Sequence, residues 1–480
     1  MKRQGVRPRQ SGSLPASALW LTAAFLATPA GATHFSIGLN FQGTTLSQSG
    51  FIPPDTMGAV GSSHVVEIVN GRYRVYNKIT GGILASRTLN QFWTDAGVSN
   101  SGNSFDPRII YDPDVQRWYA ASVDNALGNN HLKVAVSRTA NPLDGWNAFN
   151  VDSDTDDTRW ADFPQLGYDN DGVYISANMF PQTGQSVGAT VSMLVLPKSD
   201  LLLATPSVAS STLLEDIAGT TGFSVQPLVD LEGSGTATFF GGETSSAIFL
   251  SSLGGTISNP TIQLGPIVGT TFLAAPPLAD QPGPKTNLDS GGIRLRSSAY
   301  QVDGSYWGVQ GGTDPVSGNA AVRWYEIDAL TETLVQEGLI ADSDLDFIFP
   351  SIAVNDFGDI VIGFTGTSET VFPSSYAVVG SNPSGGAVFD TPVVLRAGLD
   401  DYQRLDTSGR NRWGDYSATV IDPSDPRTFW TFQEFVVADD SWAVQISEIN
   451  IIPEPGTLLL LLLGLAGLLH RASRRIATTR

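Results

Sequence analysis

A short pattern of charged and aromatic residues occurs twice in this sequence of 480 residues. The stretches "RWADF" (159–163) and "RWGDY" (412–416) repeat Arg, Trp and Asp at the same spacing. Paired carboxylates can act as acid and base in glycoside hydrolysis, and Trp rings can pack against sugars. The candidate ligand-site residues are Asp106, Arg108, Arg159, Trp160, Asp162, Arg412, Trp413 and Asp415, with Asp55 as a further carboxylate.

The same residue types also have a structural interpretation. Asp at a turn accepts hydrogen bonds from backbone N–H groups, Arg pairs with Asp between sheets, and Trp fills the space between them. Repetition of one pattern in several units favours this structural role. The sequence therefore assigns no catalytic residue.

A second candidate is the acidic run "VDSDTDDTRW" (151–160), in which Asp152, Asp154 and Asp156 resemble the opening of a calcium loop. The pattern then departs from an EF-hand, which would place Gly at position 157 and Glu at position 163; the chain has Asp157 and Phe163. A solvated acidic loop is the alternative to structural calcium. No cofactor is expected, because the sequence lacks Cys, a P-loop and a G-x-S-x-G elbow, and its four His are scattered.

The elements that must position these residues are short strands separated by Asp, Asn and Gly turns. One unit recurs every ~50–70 residues, the length of a four-stranded sheet with its loops. Its turn positions are Gly61, Asp112, Asp169, Glu232, Gln301, Asn355 and Ile421. We expect an all-β body over 33–450 that forms a β-propeller of seven blades, with six blades or a decorated β-sandwich as alternatives. Equivalent ends of the innermost strands would then bring Asp106, Asp162 and Asp415 to one mouth of the channel.

Charge and composition limit the partners. The formal net charge is −20, which disfavours binding to nucleic acid. With no Cys, disulfides cannot stabilise the chain, so burial of apolar surface must do so.

The N-terminal segment has the three parts of a secretory signal peptide. A basic region with Lys2 and Arg3 precedes the apolar "ALWLTAAFLA" (18–27), and Ala30-Gly31-Ala32 fits a cleavage site. The sequence predicts export through the Sec machinery, removal of 1–32, and a mature chain that begins at Thr33.

The C-terminal segment (451–480) joins Pro453-Glu454-Pro455 to an apolar run (457–469) and a basic tail with Arg471, Arg474 and Arg475. The run is apolar on every side and predicts a short transmembrane helix with the tail in the cytoplasm. This order resembles the PEP-CTERM sorting signal of exported proteins in Gram-negative bacteria. The resemblance implies recognition by an exosortase, removal of the tail, and delivery to the cell surface or the extracellular biofilm matrix.

The body also resembles propeller-like regions of bacterial exported proteins, at Phe105-Asp106-Pro107, Asp162-Phe163-Pro164 and 412–416. This second resemblance implies architecture rather than activity. We expect a non-catalytic protein that binds exopolysaccharide or another matrix component. The alternatives are an extracellular glycoside hydrolase or lyase that uses Asp106, Asp162 and Asp415, and a passive scaffold.

Overall fold

Strands rich in β-branched and aromatic residues alternate with polar turns and make this an all-β protein. The computed structural model describes residues 34–235, 237–242, 244–383 and 386–453. The first strands of the chain are β1 (Phe35–Thr45), β2 (Met57–Val60), β3 (His64–Val69), β4 (Arg72–Asn77), β5 (Ile83–Thr88), β6 (Phe105–Asp112), β7 (Arg117–Val123), β8 (His131–Ser137) and β9 (Trp146–Asp152). They are followed by β10 (Arg159–Tyr168), β11 (Gly172–Pro181), β12 (Thr190–Pro197), β13 (Thr212–Leu214), β14 (Gln226–Asp230), β15 (Thr238–Gly241), β16 (Ala247–Thr256) and β17 (Asn259–Gly269).

The remaining strands are β18 (Ala299–Val302), β19 (Ser305–Thr313), β20 (Ala320–Asp328), β21 (Thr333–Ile340), β22 (Asp346–Val354), β23 (Asp359–Ser368), β24 (Val371–Ser381), β25 (Val388–Phe389), β26 (Val393–Arg396), β27 (Ala418–Asp422), β28 (Asp425–Ala438) and β29 (Ser441–Ile451). Helices within the described ranges are short: α1 (Leu46–Ser49), α2 (Leu89–Asp95), α3 (Lys198–Leu201), α4 (Ala218–Thr221) and a 3₁₀ turn at Pro142–Asp144.

The strands pair mainly as antiparallel meanders that follow the chain. These run β2 to β5, β6 to β9, β10 to β13, β14 to β17, β18 to β21, and β22 to β24 with β25 and β26 at the edge. The last sheet has the order β27, β28, β29, β1, so the N-terminal strand completes the C-terminal sheet. Parallel pairing of β10 with β14, and of β14 with β18, joins three of the meanders into one sheet.

The first strands of these groups (β2, β6, β10, β14, β18, β22 and β27) contact one another in turn, and β27 contacts β2. They therefore form a closed ring. We call the end at which they begin the top face, and the end at which they finish the bottom face. The turn positions expected from the sequence all lie within two residues of the bottom ends of these strands.

Three first strands contain the same irregularity near the top face. Asp106, Phe163 and Phe349 each have a φ of 52°, each precedes a Pro, and the strand pairing shifts register at each. A positive φ is unfavourable for residues other than Gly, so these bulges depend on surrounding contacts. Asp55, just before β2, has a φ of 50°. The bulges direct the backbone and side chains that form the site described next.

Candidate functional site

Four carboxylates expected at one channel mouth lie together at the top face. Asp55 accepts hydrogen bonds from the N–H of Asp415 (2.8 Å) and from Nδ2 of Asn70 (2.7 Å). Oδ1 of Asn70 in turn accepts the N–H of Asp106 at 2.8 Å, and Oδ2 of Asp106 accepts the N–H of Phe163 at 3.0 Å. These bonds connect segments that precede or begin β2, β6, β10 and β27.

Burial and mutual repulsion raise the pKa of three of these carboxyl groups, Asp55, Asp106 and Asp162. Burial, followed by the charges of Asp162 and Asp415, raises the pKa of Asp106 to about 8. Burial and then the charge of Asp415 raise the pKa of Asp162 to about 6. The pKa of Asp55 is raised well above its usual value by burial and then by Asp415 and Asp106.

Guanidinium groups surround the carboxylates. Arg412 Nη2 lies 2.6 Å from Oδ2 of Asp415. Arg108 is buried, with Cζ 3.3 Å from the ring centroid of Tyr416, and its Nε donates to the carbonyl of Pro164 at 2.8 Å. Burial lowers the pKa of Arg108, although the neighbouring acids oppose this shift. Both Arg residues therefore belong to the same cluster as the carboxylates.

Two residues that sequence patterns did not indicate complete the cluster. Arg296 is buried and its Nη1 donates to the carbonyl of Asp415 at 3.1 Å. Glu434, in β28, accepts from the Thr56 hydroxyl at 2.8 Å, and burial raises its pKa well above the usual value. Neither residue belongs to the two "RW" motifs. The small residue of "RWGDY" gave a partial signal, because a Cβ on Gly414 would lie 2.8 Å from Oε2 of Glu434.

Three of the expected site residues have other surroundings. Arg159 donates from Nε to the carbonyl of Gly188 at 2.9 Å, and its Nη1 lies 3.3 Å from Asp216. Trp413 is fully buried and donates to the Thr365 hydroxyl at 3.0 Å, a packing position that offers no open face to a sugar. Trp160 is partly buried, with its ring centroid 6.4 Å from that of Phe105 and 6.0 Å from that of Phe180.

Solvent reaches only part of the cluster. The side chain of Asp415 is 27% exposed and that of Arg412 is 16% exposed. Asp162 is partly buried, whereas Asp55 and Asp106 are buried. The accessible surface thus combines carboxylate acceptors with a guanidinium donor, while the inner carboxyl groups hold backbone segments in place.

The acidic loop for which structural calcium and a solvated loop were the alternatives makes hydrogen bonds to its own backbone. Asp154 Oδ2 accepts the N–H groups of Thr158 and Arg159 at 2.7 Å each, and Asp156 Oδ1 accepts the Thr158 hydroxyl at 2.7 Å. Asp152 accepts the N–H of Asp154 at 3.3 Å. Asp152 and Asp156 are exposed, whereas Asp154 is buried.

A different acidic group, Asp400, Asp401 and Asp439, has carboxylate oxygens within 4.8 Å of one another. The ammonium group of Lys285 already lies there, 2.7 Å from Asp401 and 2.9 Å from Asp440, and it also contacts Asp439. A protein cation therefore already pairs with two of the three acids, Asp401 and Asp439.

Comparison with known families identifies the C-terminal segment. Residues 452–475 match the PEP-CTERM protein-sorting motif, which implies an exported protein that an exosortase processes. No curated protein matches the chain. The expected signal peptide (1–32), the transmembrane helix (457–469) and the sorting residues Glu454, Pro455, Arg471, Arg474 and Arg475 lie outside the described residues. Of the helices in the described ranges, none has the length and apolar character to cross a membrane.

Similar solved structures include propellers. The Dos1 propeller is 9% identical and covers 87% of this chain and 95% of its own, with a TM-score of 0.40. Trypanosoma rangeli sialidase in complex with the inhibitor DANA is 11% identical, with a TM-score of 0.37. The match covers 88% of this chain, and this chain spans 61% of the length of the sialidase. An endo-arabinase from Bacteroides thetaiotaomicron is 13% identical, with a TM-score of 0.31. The match covers 74% of this chain and 97% of the endo-arabinase. These similarities concern the all-β propeller-like fold and not the activity.

Proposed function

We propose that this is an exported surface or matrix protein that binds exopolysaccharide, without cleaving it, at the top face around Asp162, Arg412 and Asp415. The observation that carries the proposal is the convergence of carboxylates from four distant segments at one end of the ring, next to an accessible Arg412–Asp415 pair. Sugar hydroxyls both donate and accept hydrogen bonds, so a carboxylate beside a guanidinium suits them. The net negative charge favours a neutral or cationic polymer over a polyanion.

The architecture we propose for this body is a propeller of seven blades. The closed ring of first strands, each of which starts a meander, supports this count. Completion of the last sheet by β1 supports it as well, since the ends of the chain then hold the ring together.

The position of the chain ends is compatible with this role. Ile451 pairs with Phe35 in β1. The registers of β29 with β28 and of β28 with β27 place Ile451 close to the level of Ile421, which lies at the bottom end of β27. The sorting segment therefore leaves the fold at the bottom face. A membrane anchor attached there would leave the top face free for a polymer.

Glycoside hydrolysis is the second candidate, and one observation favours it. Asp162 is partly accessible and has a pKa of about 6, which suits a general acid near neutral pH. Against it, Asp106 is buried and its carboxylate accepts the backbone N–H of Phe163 at 3.0 Å, a structural role that leaves Asp162 without an accessible second carboxylate from β6.

The test uses the full-length chain in a mild non-ionic detergent, mixed with exopolysaccharide from the producing organism. Size-exclusion chromatography with light scattering measures polymer length and co-elution, with and without calcium. We expect co-elution at constant polymer length, weakened by Asp415→Asn and unaffected by Asp344→Asn, a change at an exposed loop acid. A polymer that shortens with time would favour the hydrolase, and absence of co-elution would overturn binding.

A further inference from the structure

A separate cavity of about 280 Å³ opens at the bottom face, inside the ring of first strands. Its walls come from the bottom ends of β2, β6, β14, β18 and β27 and include Val60, Ile110, Val229, Val302 and Val420. At this volume the cavity is near the lower limit of small-molecule pockets, roughly 300 Å³. Its mainly apolar wall would hold an apolar group of modest size.

The polar groups within the wall are already paired. Asp422 accepts hydrogen bonds from Lys78 (2.5 Å), the Ser424 N–H (2.8 Å) and Nε1 of Trp430 (3.2 Å). The Asn355 side chain accepts from the Phe357 N–H at 3.0 Å and donates to the carbonyl of Pro426 at 2.8 Å. These two residues therefore have few polar atoms left for a ligand.

Asp356, at the rim, is different. It is exposed and lines the cavity, and within the described ranges its carboxylate has no hydrogen bond or ion pair. Exposed acids also follow the bottom ends of three other first strands: Asp114, Asp171 and Asp303.

Three nearby cations are paired with acids other than Asp356. Lys78 is bound to Asp422, Arg427 lies 2.9 Å from Asp359, and Lys198 lies 2.7 Å from Asp112. Arg117 donates to the backbone carbonyls of Val115 and Gln116. Asp356 is thus an exposed, unpaired acid at the rim of an apolar wall within the described part of the chain.

We propose that this cavity binds a small organic cation: an aromatic or branched aliphatic group that fills the apolar wall and carries one ammonium group directed at Asp356. Burial of the apolar group supplies most of the binding free energy, and the carboxylate selects the charge. Tyr111 and Tyr300 in the wall add aromatic surface, which attracts an ammonium group. This site is independent of the top-face site.

Three probes of equal shape separate the contributions of shape and charge: phenethylamine, 2-phenylethanol and phenylacetate. Isothermal titration calorimetry on the full-length chain, with empty detergent micelles as the blank, measures the affinity for each probe. We expect the amine to bind most tightly, the alcohol less tightly and the acid least tightly. Equal binding of the amine and the alcohol would overturn the ionic part of the proposal, and binding of none would overturn the site.

Variants locate the site. Asp356→Asn should weaken binding of the amine by about threefold to fivefold, as expected for the loss of an exposed ion pair. Binding of the alcohol should not change. Asp356→Lys should reverse the preference in favour of phenylacetate. Val420→Phe should weaken binding of all three probes because the larger side chain fills the cavity. Asp344→Asn should leave the affinity for each probe unchanged. Amine binding that remains as strong as in the wild type after both changes at Asp356 would contradict the proposal. Polysaccharide binding is measured separately at the other face.

Discussion

The backbone N–H of Asp415 donates a 2.8 Å hydrogen bond to Oδ1 of Asp55, which lies 360 positions earlier in the chain. The bond joins the segment before β27 to the segment before β2, where the ring of first strands closes. Asp55 also accepts from Asn70, whose Oδ1 holds the bulge at Asp106. One carboxyl group therefore connects three parts of the top face.

Removal of that carboxyl group should destabilise the fold. We expect Asp55→Ala to lower the free energy of unfolding by about 1–3 kcal/mol, because the buried donors of Asp415 and Asn70 lose their acceptor. Asp55→Asn retains one acceptor oxygen and should cost less. Urea denaturation followed by tryptophan fluorescence measures both. Equal stability of Asp55→Ala and the wild type would show that the contact is dispensable.

The acid cluster should make stability depend on pH. The pKa of Asp106 in the folded protein is about 8, above the ordinary value of about 3.9. The folded state thus binds more protons than the unfolded state between these values, so this contribution to stability is complete below about pH 4 and decreases as pH rises towards 8. Asp106→Asn cannot titrate. Its free energy of unfolding should therefore decrease less than that of the wild type between pH 5 and 8 in urea titrations. A steeper decrease in the variant would refute this assignment.

Gly414 should not tolerate a side chain. A Cβ there would lie 2.8 Å from Oε2 of the buried Glu434, so Gly414→Ala should cost about 1–3 kcal/mol through overcrowding. Gly269→Ala is the matched control, since nothing lies within 4 Å of its added Cβ and it should be neutral. Thermal unfolding of the two variants makes the comparison. Similar melting temperatures would mean that Glu434 moves aside freely.

Lys285 should act as the cation of its acidic group. Replacement of Lys285 by Met leaves Asp401, Asp439 and Asp440 to repel one another, and we expect a loss of up to about 1 kcal/mol that added salt reduces. Calcium should raise the melting temperature of Lys285→Met and leave that of the wild type unchanged. A calcium-dependent rise in the wild type would instead indicate a bound ion elsewhere.

Local patterns in the sequence were sufficient to predict the strand repeat, the turn positions and the sorting motif at the C-terminus. Turns such as Asp169, which accepts the N–H groups of Asp171 and Gly172 at 2.8 Å each, depend on residues two or three positions apart. The positions of such turns can therefore be found without knowledge of the fold. The two "RW" motifs differ in position, because 159–163 forms the start of β10 whereas 412–416 precedes β27.

The composition of the site depended on contacts that no local pattern contains. Arg296 reaches Asp415 across 119 positions, and Glu434 reaches Thr56 across 378. Arg159 and Arg412 occupy the same place in the same motif, yet Arg412 pairs with Asp415 while Arg159 contacts Gly188 and Asp216. Strand and turn propensities act within a few residues, whereas ring closure and burial select which distant side chains meet and how strongly their protons are held.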